Sequence, residues 1–429
     1  VSFVWLYALV LAGATLAYLA LRSRRLRAHA QALDEAVAAG MAEPASLHPV
    51  VDPLRCIGSS ACTRACPEQA LGIVGGKAVL INGSACIGHG ACLAACPVDA
   101  IRLVFGTERR GVDIPQVSPQ FETNVPGIFI AGELGGMGLI RKAAEQGRQA
   151  IDAIRRRPRG GHDLDVVIVG CGPAGLSAGL SALEQKLRFR LIEQEDSLGG
   201  AVYHYPRHKV AMTAPVKLAI VGQVRFGEVA KERLLEFWNG IVDRTALPIH
   251  FREQMLGIAP AGDGFVVHTS RGEYRARSVL LALGRRGTPR KLGVPGEEAA
   301  KVVYRLIDPV QYRGQAVLVV GGGDSAVEAA CSVAEEADTR VTLAYRGQAF
   351  ARVKPRNRSR LDALVAQGGL TLSLNTEVAR IEDATVHLKV EGQERSLPND
   401  AVIVCAGGEL PMPLLQSMGV MFETKHGTA

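Results

Sequence analysis

The strings CIGSSACTRACP (residues 56–67) and CIGHGACLAACP (residues 86–97) place six cysteines in two copies of one spacing. A run that binds two iron–sulfur clusters reads C-x2-C-x2-C-x3-C-P. The first string fills it with Cys56, Cys62, Cys66 and Pro67, and Ser59 occupies the second cysteine slot. The second string supplies Cys86, Cys92, Cys96 and Pro97, with His89 in that slot. Thiolate suits iron because it is soft and anionic. The fourth cysteine of each run ligates the other cluster. One expected site is therefore Cys56, Cys62 and Cys96 with Ser59 as candidate fourth ligand, and the other is Cys86, Cys92 and Cys66 with His89. Three thiolates suit a 3Fe-4S cluster, or a 4Fe-4S cluster with one differently held iron. Fewer thiolates raise the reduction potential, as histidine does in Rieske centres. A decayed module that only folds is the bland alternative, but decay rarely removes the same slot twice.

A second chemistry lies in DLDVVIVGCGPAGLSAG, which begins at Asp163. An apolar strand feeds a turn with Gly170, Gly172 and Gly175, then a helix opening with Pro173 and Ala174. The first glycine makes the turn, the second admits a pyrophosphate, and the third allows close helix packing. The next strand, FRLIEQ, carries Glu193, which is placed to accept from ribose hydroxyls. A second copy, QAVLVVGGGDSAVEAA, supplies Gly321, Gly323 and Ala326 with Asp324 and Ser325 between them. Its following strand ends in Tyr345 and Arg346 rather than an acid, and Arg352 and Arg356 come next. Arginine accommodates a 2′-phosphate, which favours NADPH over NADH.

Two nucleotide folds in tandem, with ALGRRGTPR between them and LGGAVYHYP after the first, resemble the thioredoxin-reductase-like flavoproteins of the pyridine nucleotide-disulfide oxidoreductase superfamily. The resemblance covers roughly the last two thirds of the chain and implies FAD on the first fold and NAD(P)H on the second. It assigns Gly199, Gly200, Ala282 and Gly284 to the FAD side. Two features depart from that family. No C-x-x-C pair is present, so the thiol–disulfide relay lacks its dithiol. The closing strand and helix of such flavoproteins are missing at the C-terminus. They stand instead before the first glycine turn, as FETNVPGIFIAGELGGMGLIRKAAEQGRQAI from Phe121, with Gly132, Glu133 and Gln146 as the family's flavin contacts. This order implies a circular permutation opened at FET, a triplet found at both Phe121 and Phe422. Alternatives are an unrelated strand and helix, or completion of a neighbouring chain by domain swap in a homodimer.

The expected fold class is α/β, with two Rossmann-like dinucleotide-binding folds, a small α+β ferredoxin domain and an N-terminal transmembrane helix. The expected boundaries are 1–21 for that helix, 22–50 for a helical or flexible linker and 51–105 for the two-cluster ferredoxin-like domain. Residues 121–154 are the displaced strand and helix, 163–288 the FAD domain, 289–409 the NAD(P) domain, and 410–429 a return to the FAD domain.

The chain has 429 residues, is 48% hydrophobic and carries a net charge of +7. The charge collects near the N-terminus and in one linker, and no nucleic-acid motif accompanies it. Residues 1–21 are uncharged and as a helix span roughly 30 Å, a bilayer core. Arg22, Arg24, Arg25 and Arg27 follow, which by the positive-inside rule places the N-terminus outside and the body on the cytoplasmic side of a single-pass anchor. A cleaved signal peptide would carry its positive charge before the apolar run. A reducing cytoplasm also disfavours a disulfide framework. Cys171, Cys331 and Cys405 stand alone in apolar or glycine-rich surroundings and read as small core residues.

The expected function is electron transfer between NAD(P)H, FAD and the built-in clusters, to or from a ferredoxin, a quinone or a cytochrome. No side chain is assigned as a catalytic acid or base. The competing expectations are a thiol or disulfide reductase acting through Cys171, and a redox or oxygen sensor with labile clusters.

Overall fold

The computed structural model describes residues 2–38, 44, 47–86, 88, 90–108, 111–135, 139–158, 161–207, 209–213, 215–284, 289–350, 353–409 and 411–427. They form two compact units. One contains residues 1–112 with 347–359 and 425–429, and the other contains 113–346 with 360–424.

In the first unit the N-terminal helix runs without interruption from Ser2 to Ala38. It continues past residue 21 into the segment expected as a helical or flexible linker, because Ala, Leu, Arg and Gln there are good helix formers and neither Gly nor Pro intervenes before Gly40. Among the described residues no helix is long and apolar enough to cross a membrane, so the expected span over 1–21 is not supported. The arginine-bearing half of the helix packs on the ferredoxin-like domain. Leu26 joins the apolar cluster around Cys56, Cys62 and Leu71, and Nδ1 of His29 accepts the Ile73 N–H at 3.0 Å. In that domain the strand His48–Val51 pairs antiparallel with Ile101–Val104. A hairpin, Leu71–Val74 with Lys77–Leu80, completes its sheet content. Two one-turn helices, Ala61–Ala65 and Ala91–Ala94, each carry the third-slot cysteine of one string.

The second unit holds two open sheets, the first mixed and the second parallel. In the first, the strand order is Ile249–His250, Phe189–Ile192, Leu164–Val169, Gly272–Leu281, Gly264–Thr269 and Met255–Ala261. Leu164–Val169 is buried over its last five residues, as a β-branched strand covered on both faces should be. Ile128–Ile130 adds a further parallel strand, registering Ile128 with Val279 and Ile130 with Leu281. Ile128, Phe129 and Ile130 are at most 1% exposed, and burying each contributes about 1.5–3 kcal/mol. Helix Ile140–Arg156 then packs on helix Pro173–Glu184, where a Cβ on Gly147 would lie 2.0 Å from the Ala174 carbonyl oxygen. Arg277, 4% exposed, closes the C-terminus of Ile140–Arg156 by donating to the carbonyls of Ile154, Arg157 and Pro158. Leu415, Met418 and Val420 enter the same core as Ile128 and Val279, so the return segment reaches the first nucleotide fold.

The second sheet is wholly parallel, in the order Val302–Val303, Ala401–Val404, Ala316–Val320, Arg340–Ala344 and Leu370–Ser373. A separate three-stranded antiparallel sheet lies within Thr376–Pro398. Ion pairs Arg207–Asp308 (2.9 Å) and Lys209–Glu328 (2.7 Å) join the two nucleotide folds.

Candidate functional site

The six string cysteines sort into two groups of three. Cys62 lies within electrostatic reach of Cys56 and Cys96. Cys92 lies within reach of Cys86 and Cys66. Each group thus takes two thiols from one string and one from the other. Burial pushes the Cys62 thiol up, and the neighbouring thiols add to it. Burial pushes Cys92 up to about 11. For Cys86 burial is again the leading cause, with Cys66 and Glu68 adding to it. Such thiols are poor anions by themselves, and a cation is the natural compensation. Among the described residues no three His, Cys, Asp or Glu side chains converge tightly enough for one metal ion, but a multi-iron cluster holds its thiolates farther apart than a single ion does. A cavity lined by Cys66, Cys86, Cys92, Glu68 and Gly88 occupies the middle of the second group. The donor chemistry therefore fits a cluster in each group.

Backbone N–H groups face sulfurs in both groups, from Thr63 at Cys62 and from Gly88 and Leu93 at Cys86 and Cys92. Cys56 Sγ accepts the Ala78 N–H at 3.4 Å, and Cys96 Sγ accepts the Ala100 N–H at 3.3 Å. Lys77 donates to the Cys56 carbonyl at 2.7 Å. Ser59 is exposed, and its Oγ accepts the Ala61 N–H at 3.4 Å within its own turn. His89 lies outside the described residues. Both loops depend on a left-handed glycine. Gly58 has φ +67° and a Cβ there would lie 2.2 Å from the Gly76 carbonyl oxygen. Gly88 has φ +73° with the Leu47 carbonyl oxygen at 2.6 Å. Glu68 is absent from the motif logic, because its position relative to the second group comes from the fold.

The first glycine turn is built as its sequence requires. Gly170 adopts φ +98°, and a Cβ on Gly175 would lie 1.8 Å from the Gly170 carbonyl oxygen. Gly172 precedes helix Pro173–Glu184, and a Cβ on it would meet nothing closer than 3.9 Å. The helix N-terminus is therefore open to an anion. Gly199 donates to the Cys171 carbonyl at 2.9 Å, and Gly200 (φ +53°) faces Gly172. Glu193, 6% exposed, accepts the Cys171 N–H at 2.7 Å and the Glu195 N–H at 3.1 Å. Desolvation pushes its carboxyl above the usual range against those two bonds. Ala282 donates to the Val169 carbonyl at 2.8 Å, and Gly284 turns the chain away with φ +67°. Gly132 donates to Gln146 Oε1 at 2.8 Å, and Ala174 packs beside Gly132. Glu133 is half-buried at the start of the turn Glu133–Gly135. Residues from 132, 146, 170–175 and 199–200 thus gather at one end of the first sheet, where open α/β folds bind ligands.

The second turn repeats the plan. Gly321 (φ +151°) donates to the Ala344 carbonyl at 3.0 Å, and a Cβ there would lie 2.9 Å from Ala326 Cβ. Gly323 precedes helix Asp324–Ala334, with nothing within 4 Å of an added Cβ. Ser325 and Arg346 are exposed, and Asp324 stands in the first helical turn. Arg352 lies outside the described residues. Cys171 is 0% exposed, and burial pushes its thiol far up, which argues against it as a nucleophile. Cys331 is likewise 0% exposed and pushed up to about 11.

Residues 167–428 match the family described as pyridine nucleotide-disulphide oxidoreductase. Residues 48–97 match the 4Fe-4S dicluster domain. A ferredoxin–NADP reductase of Ignicoccus hospitalis is 29% identical over 280 residues, covering 61% of this chain and 83% of that protein. One from Thermus thermophilus is 31% identical, covering 60% and 77%. The solved structure of bacillithiol disulfide reductase Bdr from Staphylococcus aureus superposes with a TM-score of 0.53 at 26% identity, covering 59% of this chain and 79% of that one. The cofactors are FAD, NAD(P)H and two 4Fe-4S clusters. The chain belongs to the pyridine nucleotide-disulphide oxidoreductase family, as an FAD-dependent NAD(P)H oxidoreductase carrying a 4Fe-4S dicluster domain.

Proposed function

We propose that the chain is an electron conduit between NAD(P)H and a one-electron carrier, with its clusters as the intervening relay. FAD supplies the conversion between a hydride's two electrons and single electrons. The observation that carries this reading is the crossing of the six thiols into two groups within a chain that also folds two glycine turns. Cys56, Cys62 and Cys96 would hold one cluster, and Cys86, Cys92 and Cys66 the other. Gly170, Gly172, Gly175, Gly199 and Gly200 would approach the FAD pyrophosphate, Glu193 its ribose, and Gly132, Glu133 and Gln146 the flavin side. Gly321, Gly323 and Ala326 would seat NAD(P)H. The ferredoxin–NADP reductases among the relatives favour a ferredoxin as external partner over a quinone or cytochrome. The test is oxygen-free purification with iron, sulfide and flavin assays, then electron paramagnetic resonance before and after NADPH. Cluster signals that appear on NADPH addition support the conduit. Flavin reduction with silent clusters favours a sensor.

Three finer points belong to the same reading. NADPH is preferred because Arg346 stands exposed at the end of the second fold's second strand. Arg346→Ala should raise the KM for NADPH about tenfold or more while sparing NADH, the size of a lost charge-assisted contact. The domain order is proposed to be a circular permutation. Supporting it, Asn124 donates to the Gly419 carbonyl (2.9 Å) and accepts the Met421 N–H (2.8 Å), so the end of the first FET triplet lies beside the start of the second. A chain rearranged to carry 121–158 after 424 should retain FAD. Membrane attachment is proposed from ten large hydrophobics between Phe3 and Leu21 that are at least half exposed. Flotation with liposomes, lost on deleting residues 1–21, tests it.

A further inference from the structure

The strings leave each centre one thiolate short, and the second centre contains a residue that the motif does not mention. Glu68 lines the same cavity as Cys66, Cys86 and Cys92. Its Oε1 is shielded from solvent and has no hydrogen-bond partner. The remaining wall is largely apolar, from Pro49, Ala70, Leu71 and Leu103. A carboxylate oxygen buried without a partner is costly, and native folds tolerate it where an unseen group satisfies it. Here the missing group is the one for which the three thiols are arranged. A carboxylate is anionic, so it restores the charge that the absent fourth cysteine would bring, and it is an established oxygen donor to iron.

We infer that Glu68 supplies the fourth, oxygen donor to the cluster held by Cys66, Cys86 and Cys92. The inference rests on the two-cluster reading above. The chain geometry suits it. Cys66 and Glu68 flank Pro67, and the strand that begins at Leu71 anchors the segment behind them. The first centre has no such device among the described residues, because Ser59 is exposed and engaged in its own turn. The two centres therefore differ, and the second retains its fourth iron more firmly.

The experiment uses the full chain, purified without oxygen, as wild type and as Glu68→Ala, Glu68→Gln, Glu68→Cys and His89→Ala. It follows the loss of one iron to a chelator after mild oxidation, together with resonance spectra and midpoint potentials. Glu68→Ala and Glu68→Gln should each speed that loss about tenfold or more in one of the two centres. Glu68→Cys should restore retention and lower the potential of that centre, and His89→Ala should change neither. An unchanged spectrum of the Cys56, Cys62 and Cys96 centre reports that the domain has folded in every variant. Identical iron loss and spectra in Glu68→Ala, Glu68→Gln and wild type would overturn the inference while leaving the clusters in place. The same holds if His89→Ala alone labilises the iron. A wild type without iron or sulfide would overturn the two-cluster reading itself.

Discussion

Lys77 shows how a single side chain can set a potential. It donates to the Cys56 carbonyl at 2.7 Å, next to the Ala78 N–H that bonds Cys56 Sγ. Positive charge and N–H donors at the sulfurs favour the reduced cluster. Lys77→Ala should lower the midpoint of the Cys56 centre by roughly 30–60 mV, a three- to tenfold change for one electron. Potentiometric titration followed by resonance spectroscopy checks it. Glu193 acts through protonation. Burial raises its carboxyl pKa, although the backbone N–H groups of Cys171, Glu195 and Gln194 oppose the shift. A raised folded pKa means that this group stabilises the fold in acid and loses that contribution as pH rises through the folded value. Ribose hydroxyls need the ionised form as acceptor, so FAD should bind more weakly as pH falls through the same range. Glu193→Gln should weaken binding at neutral pH and flatten that dependence, as measured by flavin fluorescence on dilution. The motif residues around both turns were legible because each role is a local backbone demand. Glu68 was not, because nothing in C-P-E indicates which thiols its side chain will meet.

At the scale of elements, the agreement is best where short-range constraints act. The strands and helices around Gly170 and Gly321 follow from apolar runs that end in a glycine turn. The N-terminal helix continues into the segment expected as a helical or flexible linker. Leu26, His29, Leu33 and Ala36 recur at helical spacing and are at least partly buried, a stripe that the arginines beside it obscured. The placement of Ile128–Ile130 was suggested only by resemblance, since strand pairing between residues about 150 apart leaves no local trace. Its helix offers a sharp test. Gly147 lets Ile140–Arg156 approach Pro173–Glu184, and an added methyl would collide with backbone at Ala174, 2.0 Å from the oxygen. Helix Pro173–Glu184 cannot yield without disturbing the first glycine turn, from which it starts. Gly147→Ala should cost about 1–3 kcal/mol in stability and reduce bound FAD. Thermal melting together with the ratio of flavin to protein reads both effects.

For the whole molecule, the question is whether cofactors held by one chain exchange electrons. The family supplies the flavin and nicotinamide chemistry, and the dicluster domain supplies one-electron centres. A fused domain that merely folds would also bind iron, so cluster content alone cannot decide. The decisive comparison removes the flavin and keeps the iron. Gly175 is suited to this, because a Cβ there would lie 1.8 Å from the Gly170 carbonyl oxygen and spoil the pyrophosphate turn. The six string cysteines belong to a different compact unit from that turn. Gly175→Ala should therefore lose FAD while retaining iron and sulfide. Under anaerobic rapid mixing with NADPH, wild type should show flavin bleaching followed by cluster bleaching. The variant's clusters should stay oxidised with NADPH yet be reduced by dithionite. Clusters that NADPH reduces equally well without flavin would place their electron entry elsewhere. Clusters left oxidised in the flavin-replete wild type would mean that the chain houses its redox centres without connecting them.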